Sequence, residues 1–151
     1  LVRLGVPPAA AVRHPANGGR SVITADGLGV LKSWDTQSGV AEKTLPGHVG
    51  AITSLGVSAN GSTLVSGGAD GTVRLWDLQT GTMTALLPAP PAPGITASAR
   101  LVDGDRQVVV VYNGMGLQPG GMRLWTPATN ALVAFRGHTS RIGAALSMGT
   151  T

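Results

Sequence analysis

Cysteine is absent from all 151 residues, which excludes disulfides and thiolate chemistry but fixes no compartment, because a thiol-free chain is tolerated in either redox environment. Charge is scarce as well. Only 12% of residues are Asp, Glu, Lys or Arg, about half the roughly 25% usual in soluble domains. The longest aliphatic run, Val108 to Val111, falls far short of the ~20 apolar residues of a membrane helix. No membrane span is expected. Pro7 and Pro8 break any apolar core that a secretory leader would need, and the start at Leu1 reads as a cut edge.

Glycine (23) and proline (10) are plentiful, which argues against long helices and for short extended segments joined by many turns. With 42% hydrophobic residues the chain can still collapse. Its formal charge of +4 comes from basic residues spread singly from Arg3 to Arg141. The balance reflects few acids more than a nucleic-acid footprint.

The chain repeats itself. At an offset of 42, residues 16–39 align without a gap on residues 58–81, placing Gly19 on Gly61, Gly29 on Gly71, Trp34 on Trp76, Asp35 on Asp77 and Gly39 on Gly81. A third copy ends in Met122-Arg123-Leu124-Trp125, which aligns with Val73-Arg74-Leu75-Trp76 at offset 49, while Asp103-Gly104 aligns with Asn60-Gly61 at offset 43. The difference predicts an insertion of about six residues near Met115 to Gly120.

Repeats of 40 to 45 residues with Gly-His and Trp-Asp signatures indicate propeller blades of four strands each. The sequence resembles the WD40 family in Gly47-His48, Ser66-Gly67-Gly68-Ala69-Asp70-Gly71, Val73-Arg74-Leu75-Trp76-Asp77 and Arg136-Gly137-His138. The expected fold is all-β, a partial WD40-type β-propeller of about three four-stranded blades with one strand at each end. Blade 1 is placed at about 9–46, blade 2 at about 51–87 and blade 3 at about 95–136. Residues 1–5 read as the outer strand of a preceding blade, and 137–147 as the start of a further one. A closed propeller takes 4 to 8 blades, so the remaining blades are expected from the same longer chain or from a partner.

Ser66, His48 and Asp70 lie in one repeat and could be read as a catalytic triad. The resemblance implies a different role, a buried structural tetrad of His48, Ser66, Asp70 and Trp76, so no catalytic residue and no enzyme activity is expected. Blade 1 departs from the pattern, with Val6 and Leu28 in the histidine and aspartate places and Thr24 and Trp34 left over. In blade 3, Val109 replaces the serine and Asn113 the aspartate, with Trp125 retained. Trp34, Asp35, Asp77, Trp125, Gly137 and His138 complete the repeat signature.

His14, His48 and His138 are too dispersed, with no carboxylate pair at ligand spacing, to suggest a metal site. Gly114-Met115-Gly116 and Gly120-Gly121 precede no helix, so a phosphate cradle is not expected either. No cofactor is expected. Lys32, Arg74 and Arg123 recur two residues before each tryptophan and could form a cationic row. Paired locally, they are ordinary strand residues, and nucleic-acid binding is disfavoured.

The loops joining consecutive blades and the hairpins joining second to third strands share one rim in this fold. Tyr112, Met115, Leu117 and Arg141 are therefore the candidate partner-binding residues, with Val49 and Gly50 beside them. The resemblance implies a non-catalytic protein-protein interaction scaffold within a multi-subunit assembly, intracellular and cytoplasmic, cytoskeletal or ciliary. The alternative is a regulatory or sensor propeller of a larger enzyme whose catalytic domain lies outside these residues.

Overall fold

The structure, a computed structural model, describes residues 10–14, 20–91, 95–114 and 121–135. Twelve strands lie among them: β1 (Ala10–His14), β2 (Ser21–Ala25), β3 (Leu31–Asp35), β4 (Ala41–Leu45), β5 (Ile52–Val57), β6 (Thr63–Gly68), β7 (Val73–Asp77), β8 (Thr82–Leu87), β9 (Ile95–Val102), β10 (Gln107–Gly114), β11 (Gly121–Thr126) and β12 (Ala131–Phe135). They form three antiparallel four-stranded sheets in simple chain order, β1 to β4, β5 to β8 and β9 to β12. No helix occurs among the described residues, so none is long and apolar enough to cross a membrane. The architecture is an open β-propeller of three blades. The segments 1–5 and 137–147 fall outside the described residues.

Alternation in each strand decides which residues enter the core. Ser21, Ile23 and Ala25 of β2 are buried on one face, and Val108, Val110 and Tyr112 of β10 likewise. Two apolar clusters result, one at each seam between sheets. Ile23, Ala25, Leu31 and Leu45 of blade 1 pack on Ile52, Leu64, Trp76 and Leu78 of blade 2. Val65, Val73, Leu75 and Leu87 of blade 2 pack on Ala97, Ala99, Val108, Val110, Tyr112 and Trp125 of blade 3. Each of these two tryptophans therefore lies against the preceding blade.

The WD dipeptides organise the outer turns. Asp35 accepts hydrogen bonds from the Gln37 and Ser38 amides at 3.0 and 2.7 Å, and Asp77 does the same for Gln79 and Thr80 at 2.7 and 2.8 Å. Those bonds hold both carboxyls below the ordinary carboxylate range, the Ser38 and Thr80 amides having the largest effect. Each turn closes on a glycine in the left-handed region, Gly39 and Gly81, where a side chain would be strained. Blade 3 uses Asn130 at φ 56° instead, one of the few residues that tolerate that conformation.

Register corrects one alignment. Leu64 pairs with Trp76 in blade 2, whereas Val108 pairs with Trp125 in blade 3, so the counterpart of Ser66 is Val110 and not Val109. The β9–β10 connection is as long as β5–β6, Leu101 pairing with Val108 as Val57 pairs with Leu64, so both strands sit at offset 44 and Asp105, at φ 69°, stands where Gly61 does at φ 70°. Matching Gly104 to Gly61 is one residue out of register, and a slip of one residue puts every side chain on the other face. The counterpart of Asp70 moves with it, away from Asn113.

Candidate functional site

In blade 2 the loop leading into β5 carries His48, and the β6–β7 hairpin carries Asp70. Gly68 lets them meet, because a Cβ there would lie 2.5 Å from the His48 Nδ1 and 2.6 Å from an Asp70 carboxyl oxygen. Gly47 has a similar reason, since a Cβ would collide with the Arg74 guanidinium that crosses it.

The indole Nε1 of Trp76 donates to Ser66 Oγ at 2.9 Å, and Ser66 Oγ lies 2.8 Å from His48 Nε2. His48 Nδ1 lies 3.1 Å from Asp70 Oδ1. Burial lowers the His48 pKa against the opposing pull of Asp70, so the ring is neutral. A neutral ring has one donor and one acceptor. Nδ1–H then donates to Asp70, and Nε2 accepts the Ser66 hydroxyl proton, giving a single donor direction from Trp76 through Ser66 and His48 to Asp70.

Asp70 ends that chain. Its carboxylate also accepts from the Val49 amide at 3.0 Å, the Thr72 amide at 3.0 Å and the Thr72 hydroxyl at 2.8 Å, with Arg74 at 3.9 Å. Partial burial pushes its pKa up, but the Val49 and Thr72 amides outweigh this and hold it below the usual range. The structure thus brings His48, Ser66, Asp70 and Trp76 into one network. It is closed to substrate: Ser66 is fully buried and the His48 side chain has no exposed surface. A nucleophile needs a reacting carbon within reach, and this hydroxyl faces only indole and imidazole.

The network positions a rim. Asp70 grips the Val49 amide, and the hairpin of blade 1 leans on the same loop, since a Cβ on Gly29 would lie 2.8 Å from the Gly50 carbonyl oxygen. Asp26 shapes that hairpin by accepting from the Leu28 and Val30 amides, both at 2.9 Å. Leu28 stands at the position of Asp70, Ala25 pairing with Leu31 as Gly67 pairs with Val73, but it does not take up the aspartate's contacts. It projects from the hairpin, 80% exposed, next to a loop on which Val49 is 76% exposed.

The other sequence-derived positions separate. Trp34 Nε1 donates to Thr24 at 2.8 Å, a two-membered remnant of the network. In blade 3, where Val110 offers no hydroxyl, Trp125 Nε1 donates to Asn130 Oδ1 at 3.1 Å. Sequence reasoning missed Asn130, although an asparagine at the glycine position of the turn was a visible signal. Tyr112 is a correction: it is 4% exposed in β10 and packs in the core. Its pairing with Gly121 makes it the counterpart of Gly68, where a Cβ in blade 2 would meet the His48 ring. Burial raises its pKa despite Arg123. Met115, Leu117, Gly137, His138 and Arg141 lie outside the described residues.

Lys32, Arg74 and Arg123 do not form a free cationic row. Lys32 lies over the Trp34 ring at 5.8 Å, Arg123 over the Tyr112 ring at 5.3 Å, and Arg74 beside Asp70. Among the described residues no His, Asp and Glu cluster could hold a metal ion.

This blade geometry agrees with the comparisons. The profile of the WD40 family, described as WD domain, G-beta repeat, matches residues 39–77. The fold is similar to the crystal structure of the Myceliophteria thermophila Cps50 (Swd1) β-propeller domain, with a TM-score of 0.68 at 20% identity over 85% of this chain. The match spans 38% of that chain. No curated protein sequence matches. Residues 39–77, which run through β4 to β7, are thus similar to a WD40 repeat, and the fold of the three sheets is that of a β-propeller.

Proposed function

We propose that the chain is a non-catalytic protein-interaction scaffold that helps assemble a larger complex, with the Leu28 and Val49 rim as its contact surface. WD40 propellers in general bind other proteins, and the observation that carries the reading here is the rim itself. Two large apolar side chains stand in water on adjoining loops, 80% and 76% exposed, while their backbones are held by Asp26 and Asp70. Single exposed apolar residues are ordinary. A fixed pair is a preorganised contact that loses little conformational entropy when covered. An intracellular, cytoskeletal or ciliary setting extends this proposal and is supported by the family resemblance alone.

The test compares proteins co-purifying with the wild-type chain and with a Leu28→Asp, Val49→Asp double variant, quantified by mass spectrometry. Loss of stoichiometric partners with an unchanged circular-dichroism spectrum supports the rim. An identical partner set in identical yield refutes it.

A further inference from the structure

Asparagine followed by glycine is a chemically labile pair, and the chain has two, Asn60-Gly61 and Asn113-Gly114. The glycine amide nitrogen attacks the asparagine side-chain carbonyl carbon, ammonia leaves, and water opens the resulting five-membered imide to aspartate or isoaspartate. Glycine makes the approach easy because no side chain stands in the way. The fold treats the two pairs differently. Asn113 and Gly114 lie in the ladder of β10, opposite Thr96 and Ile95, whereas Asn60 and Gly61 belong to the turn between β5 and β6, where Asn60 is exposed. Only the pair in the turn can react without opening a sheet.

Bonds inside the turn restrain it. Asn60 Oδ1 accepts from the Ser58 hydroxyl at 2.7 Å, the Ser62 amide at 3.0 Å and the Ser62 hydroxyl at 2.8 Å. The Gly61 amide, which is the attacking group, donates to the Ser58 carbonyl oxygen at 2.9 Å. Nucleophile and carbonyl are thus both committed. A further bond comes from the neighbouring blade, where Asp105 Oδ2 accepts from the Ala59 amide at 2.9 Å. Asp105, at the Gly61 position of blade 3, thereby fastens the residue next to Asn60 across the seam.

From this we propose that Asn60 is a deamidation site gated by the seam between blades 2 and 3. While Asp105 holds Ala59 the amide survives, and when that bond opens the freed turn reacts. The Gly61 nitrogen gives its proton to solvent as it bonds to Asn60 Cγ, the Cγ–Nδ2 bond breaks, and the departing nitrogen takes a proton from solvent to leave as ammonia. Water then adds to one imide carbonyl and returns a proton to the Gly61 nitrogen. The product carries a carboxylate where a neutral amide stood, one residue from the Ala59 amide that Asp105 grips, and isoaspartate also lengthens the main chain by a methylene. Like charges repel, so the seam bond does not re-form. A transient opening is thereby recorded permanently. The turn follows β5 whereas the His48 loop precedes it, so this reading is independent of the rim.

Peptide mapping by mass spectrometry, after incubation of the purified protein at neutral pH, follows both asparagines at once through the mass gained when an amide becomes an acid. Deamidation at Asn60 is expected to run about fivefold faster in Asp105→Ala than in the wild type, the gain in open turns when one typical hydrogen bond is lost. Asp105→Asn keeps an acceptor for Ala59 and should restore the slow rate, while Asn113 stays slow throughout. Equal rates at Asn60 in the wild type and Asp105→Ala, or a rise at Asn113 that matches the one at Asn60, overturns the gate. Asn60→Asp installs the product directly. Its urea midpoint should fall in the wild-type background and hold steady in Asp105→Ala, and an equal fall in both overturns the one-way closure.

Discussion

Removing one hydroxyl should have very different effects in blades 1 and 2. Ser66 and Thr24 are equivalent positions, and both accept a tryptophan N–H. In Ser66→Ala two groups lose their partner, the Trp76 indole N–H and His48 Nε2, both in dry surroundings. Each buried polar group left unsatisfied costs roughly 1 to 3 kcal/mol, so the variant should lose about 2 to 4 kcal/mol after the neighbours relax. In Thr24→Val only the Trp34 N–H loses its acceptor, and Trp34 is half-buried. Water can replace the hydroxyl there, which limits the loss to about 1 kcal/mol or less. Urea unfolding at constant m reads both values. A cycle with His48→Ala adds a check, because the Ser66–His48 bond can be lost only once and the double variant should cost less than the sum. Equal losses in the two blades, or a loss in Ser66→Ala below about 1 kcal/mol, would refute the assignment of the network.

The same network should make stability depend on pH with a defined sign. The folded His48 pKa lies below 6.5, so its contribution is complete above pH 6.5 and falls as pH drops towards the folded value, where the unfolded chain binds the proton first. Asp70, also lowered, extends the loss below its ordinary 3.8; His48→Ala should flatten the upper part of the urea-midpoint profile, and an unaltered profile would contradict a neutral imidazole. Tyr112→Phe should raise the thermal midpoint, because the buried Tyr112 hydroxyl has no hydrogen-bond partner and its removal relieves up to about 1 to 3 kcal/mol. A lowered midpoint would mean that the hydroxyl is satisfied in solution.

Most of the architecture was legible because glycine and tryptophan punctuate the sequence in a recurring order, with Trp34, Trp76 and Trp125 42 and 49 residues apart. The alignment of residues 16–39 on 58–81 transfers cleanly from β2 to β4, whose turns match those of β6 to β8 in length, whereas the β1–β2 connection is longer than β5–β6, Arg13 pairing with Val22 but Val57 with Leu64. In blade 3 alignment and register part company. The match of Gly104 with Gly61 is one residue out of register, and the valines from 108 to 111 could not reveal it, because a run of identical side chains carries no mark of which face each takes. Tyr112 was misread for the same reason: placed at a hairpin tip by alignment, it belongs to the strand, pairs with Gly121 and is buried in the core. The exposed pair at the rim was half visible, with Val49 next to the histidine, but alignment showed Leu28 only as the residue in the aspartate's place, and the shaping of that turn by Asp26, two residues earlier, has no counterpart in the repeat.

Lys43 of β4 stretches across the first seam and donates from Nζ to the Leu78 and Gln79 carbonyl oxygens, both at 2.7 Å. Acetylation at this amine would erase its charge and two of its three donors. The outer edges of blades 1 and 2 would then splay like the ribs of a hand fan whose pivot, at the inner strands, stays fastened. A single covalent mark on the perimeter could in this way adjust curvature while leaving the buried cluster beneath it intact.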